Sequence, residues 1–213
     1  MDYLDEKYQY ILKEPPILAK LDTQLIRILR PYEYSVFMSE VKNPKTKTIF
    51  ACGLYTAMRY SEMIHLHNHP EWLREQTRCV DLPRFVEKKK KRKLRGRYVW
   101  LTQAGVEAVK AFLSLDSVPD DVTIYWKLLQ TAKQNLEKNY LEHGVVSIGI
   151  TPKSTRKSYE SWLATTYQDK FHLIVLSCGH DTTTSINHYL NLPFNKTDVD
   201  DMEPFVSGWG LIK

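Results

Sequence analysis

Apolar residues recur every three or four positions through "LDTQLIRILRPY" and "KTIFACGLYTAMRYSEMIHL". The same spacing runs through "LTQAGVEAVKAFLSL", "IYWKLLQTAKQNLEKNYLEHG", "TPKSTRKSYESWLATTY", "FHLIVLSCGH" and "TTTSINHYL". It predicts helices, because such positions share one face of a helical turn. Capping signals agree: Thr102 precedes "QAGVEAVKAFL", Gly144 closes the stretch that opens at Ile124, and Thr151-Pro152 sets a capping residue before a proline suited to a first turn. Two segments depart from the helical period. "TRCVDL" and "RYVWL" are short, rich in β-branched and aromatic residues, and bounded by Pro83 and Gly96, which suits an antiparallel pair. The expected architecture is mainly α with a small antiparallel β-sheet. There is no internal repeat.

Charge changes this picture at one place. Eight of the thirty Lys and Arg residues fall in "KKKKRKLRGR", between the two predicted strands, leaving twenty-two bases against twenty-five acids elsewhere. The net charge of +5 is therefore the work of one ribbon, comprising Lys88, Lys89, Lys90, Lys91, Arg92, Lys93, Arg95 and Arg97. A patch of this kind fits a polyanion, since each neutralised phosphate releases condensed counterions. A solvated loop or an import signal would have the same composition.

Composition sets wider bounds. At 213 residues, 43% hydrophobic and 12% aromatic, the chain can bury one substantial core. No apolar run approaches the roughly 18 residues that span a bilayer, and "MDYLDEKYQY" does not read as a secretory signal. The expectation is a soluble, cytoplasmic protein with no membrane partner. Cys52, Cys79 and Cys178 are odd in number and widely spaced, which indicates neither a disulfide framework nor a structural zinc site.

No Gly-rich phosphate loop, G-x-S-x-G elbow or H-E-x-x-H occurs. "HLHNH" places His65, His67 and His69 at alternate positions, but alternate positions on a helix diverge, so surface or core histidines are expected in place of a metal site. The remaining candidates suit metal-free phosphoryl chemistry. Arg59 and Glu62, three apart near a helix start, can touch, so the carboxylate can hold the guanidinium in place. Lys153 and Arg156 have the same spacing in a predicted first helical turn, where backbone amides favour anions. Either pair alone also describes an ordinary surface ion pair.

In order along the chain, these residues resemble the tyrosine recombinases, the lambda-integrase-like family that shares its core with type IB topoisomerases. The family pattern is an R-x-S-E segment, a lysine in a β-hairpin, an H-x-x-R helix start, a Gly-His pair and a tyrosine about nine residues later. Here "RYSE" begins at Arg59, the basic hairpin spans residues 84–101, "KSTR" occupies the H-x-x-R place, and Gly179-His180 is followed by Tyr189. The segments "TPKSTRKSYESWL" and "GHDTTTSINHYL" look most like archaeal or archaeal-virus members.

The resemblance implies a catalytic domain over residues 21–190, between an N-terminal extension (1–20) and a C-terminal tail (191–213). It implies a site-specific recombinase or integrase that cleaves double-stranded DNA through a 3′-phosphotyrosyl intermediate, needing no cofactor and no metal. Tyr189 would be the nucleophile, Arg59, Lys153, Arg156 and His180 would hold the phosphate, and a hairpin lysine, Lys91 with Lys90 and Lys93 as neighbours, would protonate the leaving oxygen. Relaxation of supercoils by the same residues and a non-catalytic DNA-binding module are the alternatives. Two features depart from the pattern. Lys153 stands where relatives have histidine, and the separate N-terminal domain that clamps DNA in relatives is expected to be missing. The tail has two prolines and two glycines, yet its Leu192, Phe194, Phe205, Val206, Trp209, Leu211 and Ile212 are too apolar to stay in water. In the family such tails pack on the next subunit of a dimer or tetramer. Docking in trans is therefore expected here, with packing on its own domain as the alternative.

Overall fold

The computed structural model describes residues 5–21, 23–83, 96–179 and 192–210. A 3-10 helix, Glu6–Leu12, leads into a hairpin of β1 (Leu18–Leu21) and β2 (Gln24–Arg27). Helices α1 (Pro31–Glu40), α2 (Pro44–Thr56) and α3 (Tyr60–Asn68) follow. The sheet has β3 (Leu73–Arg74), β4 (Cys79–Leu82) and β5 (Arg97–Trp100) in that order, all antiparallel. Then come α4 (Gln103–Leu113), α5 (Val122–Lys138), α6 (Tyr140–His143), α7 (Ser154–Thr166), α8 (Phe171–Cys178) and α9 (Lys196–Val206). The mainly α architecture with small antiparallel sheets is as expected, and β4 and β5 are the two predicted strands, with Leu82 opposite Arg97 where the ribbon leaves the sheet.

Three expected helices are cut differently. Within the helix expected over residues 21–32, Gln24–Arg27 form β2 and residues 28–30 an extended pass, and a helix begins only at Pro31. Ile26, Arg27, Ile28, Leu29 and Arg30 are all buried, and Pro31 allows a helix only from its own position onward. The 47–66 run is broken at Ala57, a left-handed residue (φ 47°) that ends α2 before Arg59 caps α3. Helix α7 starts at Ser154, because Thr151 and Pro152 form the preceding turn and Lys153 is the cap.

Helix α7 is the central element: every residue from Ser154 to Ala164 is buried. A serine-rich helix can be buried all round because its hydroxyls satisfy backbone. Ser158 Oγ donates to Ser154 O and accepts from Leu29 N at 2.7 Å, while Trp162 Nε1 donates to Leu29 O at 2.9 Å. The extended pass before α1 thus has both polar groups of Leu29 answered by α7. Gly53 of α2 lets the two helices approach closely, since a Cβ there would lie 3.1 Å from Thr155 Oγ1.

In the single chain the C-terminal segment packs in cis, the alternative to docking in trans. Helix α9 packs on α7 and α1 of its own chain, burying Met202, Val206 and Trp209, and Trp209 Nε1 donates to Trp100 O at 2.9 Å. Its start is fixed by Asp198, a fully buried carboxylate. Asp198 pairs with Arg30 and accepts from Tyr10 Oη at 2.6 Å and from Asn195 N at 3.0 Å. Glu14 holds the other end of the Arg30 guanidinium at 2.6 Å. The residues expected as an extension and as a tail therefore meet over one buried ion pair.

Removing one partner of such a pair costs roughly 3–5 kcal/mol, because the other charge stays buried. Asp198→Ala is expected to lower the unfolding free energy by about that amount in urea titrations. A loss below about 1 kcal/mol would mean that the cluster adds nothing to folding.

Candidate active site

Arg59 is the N-cap of α3, and Glu62, one turn on, folds back to accept its backbone N–H at 2.8 Å and its Nη1 at 2.9 Å. Glu62 has no exposed surface, so this is not the surface ion pair that the spacing alone also allowed. A second guanidinium reaches the same carboxylate from β5: Arg97 Nη1 and Nη2 lie 3.1 and 2.9 Å from the two oxygens. A third, Arg156 of α7, stands 4.0 Å from Oε2. Its position is set by two carbonyls, Ala57 O at 2.8 Å and Cys178 O. The left-handed turn at Ala57 and the C-terminus of α8 thus both point backbone oxygens at Arg156.

The electrostatics follow from this crowding. Burial alone would raise the Glu62 pKa, but Arg97, then Arg156 and Arg59, outweigh it and hold the carboxyl down at about 2. The Arg59 pKa is lowered, first by burial and next by the neighbouring Arg156. Three guanidiniums thus lie within 4.0 Å of the one Glu62 carboxylate. Arg59, with 27% of its side chain exposed, is the most open of the three. The arrangement suits an anion presented from the solvent side.

Of the other expected site residues, Lys153 is exposed and its Nζ donates to Gln24 Oε1 at 3.0 Å. It caps α7, three positions before Arg156. His180 and Tyr189 lie outside the described residues, as do Lys88, Lys89, Lys90, Lys91, Arg92, Lys93 and Arg95. Composition groups Arg97 with the DNA contacts, and the structure turns it inward instead: it is 8% exposed and committed to Glu62 and to Ser177 O, the latter at 2.9 Å from Nε. Strand alternation carries the signal for this. Val99 is a core residue, so Arg97, two positions before it, shares its inward face.

The three histidines separate. His67 Nε2 is bonded to Leu115 O at 2.8 Å, His69 stacks on Trp72 with ring centroids 4.4 Å apart, and His65 is exposed. Among the described residues no group of three or more His, Cys, Asp or Glu is placed to hold a metal. Nor is any described helix long and apolar enough to cross a membrane.

Comparison with solved structures decides the fold. XerA recombinase, a tyrosine recombinase, superposes with a TM-score of 0.50 over 90% of this chain at 16% sequence identity. The chain has a tyrosine recombinase fold. It spans 66% of the length of XerA recombinase. No family model matches the sequence, and no curated protein is significantly similar to it. Within the recombinase fold, the Arg59, Arg97 and Arg156 cluster lies where α3, β5 and α7 converge on Glu62.

Glu62 yields a prediction about acid stability. A carboxyl whose pKa falls from its ordinary 4.5 to about 2 on folding stabilises the native state fully above about pH 4.5. That contribution drains away as pH falls toward about 2, because the unfolded chain takes up the proton first. Glu62→Gln is expected to cost on the order of 3 kcal/mol at neutral pH. It should also flatten the acid limb of denaturant-measured stability. An acid limb unchanged in the variant would show that other carboxylates dominate it.

Proposed function

We propose that this chain is a DNA strand-transfer enzyme acting as a site-specific recombinase or integrase, with Tyr189 as its nucleophile. The observation that carries the reading is the convergence of Arg59 and Arg156 on buried Glu62 within a recombinase fold. The order of residues along the chain supplies the rest: the basic run lies between β4 and β5, His180 directly follows Gly179, and Tyr189 precedes α9.

In this reading the Tyr189 oxygen bonds to phosphorus as the bond from phosphorus to the 5′-oxygen breaks, leaving a 3′-phosphotyrosyl link and a free 5′-hydroxyl. A phenol with pKa about 10 is a weak nucleophile at neutral pH. Nearby cations favour the phenolate, and they favour the transition state more than the diester, because negative charge grows on the non-bridging oxygens. Arg59 and Arg156 are assigned to those oxygens. His180 orients the phosphate. Lys153 can join them by exchanging its single bond to Gln24 for a phosphate oxygen. A lysine of the 88–93 run, with Lys91 favoured, protonates the 5′-oxygen. The link conserves the energy of the broken bond, so religation needs no nucleotide. Several copies acting together on double-stranded DNA would complete an exchange, and an archaeal or viral setting fits the sequence resemblance.

Incubation with a duplex nicked just downstream of the scissile phosphate, so that the short fragment bearing the new 5′-hydroxyl is lost on cleavage, is expected to trap a covalent protein–DNA complex. Tyr189→Phe should abolish it while leaving affinity within about threefold, since the phosphate backbone dominates binding. An adduct that survives the change would place the nucleophile at another tyrosine. Binding should also weaken steeply with salt. Neutralising Lys89, Lys91 and Lys93 together is expected to reduce the slope of log K against log salt by roughly two units, at about 0.9 for each phosphate left without its cation. An unaltered slope would remove the ribbon from the DNA interface.

A further inference from the structure

We propose that Arg97 is a positioning residue for strand cleavage, setting Glu62 and through it Arg59 without touching DNA. The inference rests on the strand-transfer reading above. Arg97 begins the strand that leaves the basic run, and composition alone would count it with its seven basic neighbours. Its side chain does something else. Nη1 and Nη2 engage the two Glu62 oxygens at 3.1 and 2.9 Å, Nε donates to Ser177 O at 2.9 Å, and the residue is 8% exposed. A planar fork fixed at three atoms has little freedom left.

Two features of its surroundings give this fixation a consequence. Glu62 has only two oxygens, and three guanidiniums compete for them. With Arg97 holding both oxygens, Arg59 is met by Oε1 at 2.9 Å and Arg156 stays 4.0 Å from Oε2, tied instead to carbonyls. Without Arg97 the carboxylate is free to turn toward Arg156, and Arg59 loses its backstop. The second feature is Gly179. Its φ is +67°, and a Cβ on it would lie 3.1 Å from Cζ and Nε of Arg97. The guanidinium therefore packs closely on the backbone directly before His180. One side chain thus braces both the Arg59 side of the cluster and the chain that leads to His180.

Arg97→Met and Arg97→Lys test this on the full-length protein, with single-turnover cleavage of a nicked duplex at saturating DNA and with affinity measured across salt. Arg97→Met is expected to cleave about 100-fold more slowly when bound, the scale of a misplaced reacting group. Its salt slope should stay unchanged, because every phosphate keeps the cation that neutralises it. Arg97→Lys should recover at least about tenfold of the loss, one ammonium holding one Glu62 oxygen. Should Arg97→Met fail to fold, slowed cleavage at an unchanged salt slope in Arg97→Lys carries the same conclusion. A slope reduced by about one unit with an unaltered rate in the bound complex would make Arg97 a DNA ligand and overturn the proposal. A wild-type protein that forms no adduct would overturn the strand-transfer reading itself, and this inference with it.

Discussion

The carboxylate of Glu62 ties together side chains from three separate parts of the chain. It sits in the first turn of α3, Arg97 comes from β5, and Arg156 comes from α7. Burying an ion costs several kcal/mol unless it is paired and hydrogen-bonded, and burying three like charges together is worse. Each party here is tolerable only because of the others. The carboxylate is neutralised more than once over, and the guanidiniums find, besides Glu62, the carbonyls of Ala57, Cys178 and Ser177. The guanidiniums are what an incoming phosphate would meet, so the feature that costs stability is also the feature that can do chemistry.

Much of this is legible in the chain. The helices α4 and α8, the hairpin strands and the Thr102 and Gly144 caps follow from local rules, because the residues that decide them are neighbours in sequence. Residues 21–32 mislead for a physical reason. "QLIRILR" has the apolar density of a helix, and its partners as an extended pass include the buried Ser158 and Trp162 of α7, more than 120 positions away. The Arg59 and Glu62 pairing is readable from spacing, whereas the third arginine is not separable from the basic run around it. Its inward direction depends on the parity of a four-residue strand, and six consecutive basic residues offer no phase. The tail poses a similar limit. Its apolar residues demand a surface, but sequence does not say whose, and Arg30 and Tyr10 answer for their own chain.

The same device appears twice in the fold. Arg30 caps α1 with Glu33 accepting its backbone N–H at 2.9 Å, and Arg59 caps α3 with Glu62 doing the same at 2.8 Å. Each glutamate then takes a further buried arginine, Arg27 in one case and Arg97 in the other. At the first site the Arg30 guanidinium is taken up by two further acids, Asp198 and Glu14. At the second site Arg156 is answered, besides Glu62, by the backbone oxygens of Ala57 and Cys178. A structural ion-pair cluster and a candidate phosphate site therefore share one local motif and differ in how the last arginine is answered.

Strand β5 shows how the site and the core are joined. At its start Arg97 reaches Glu62, and at its end the Trp100 N–H donates to Ser177 Oγ at 3.0 Å while its carbonyl accepts from Trp209. The edge that β4 does not pair is thus closed by α8 and by the turn after α9 instead of standing open to another chain. The cis-packed C-terminal segment therefore does more than complete the core, because through Trp209 it also holds the end of the strand whose start reaches Glu62.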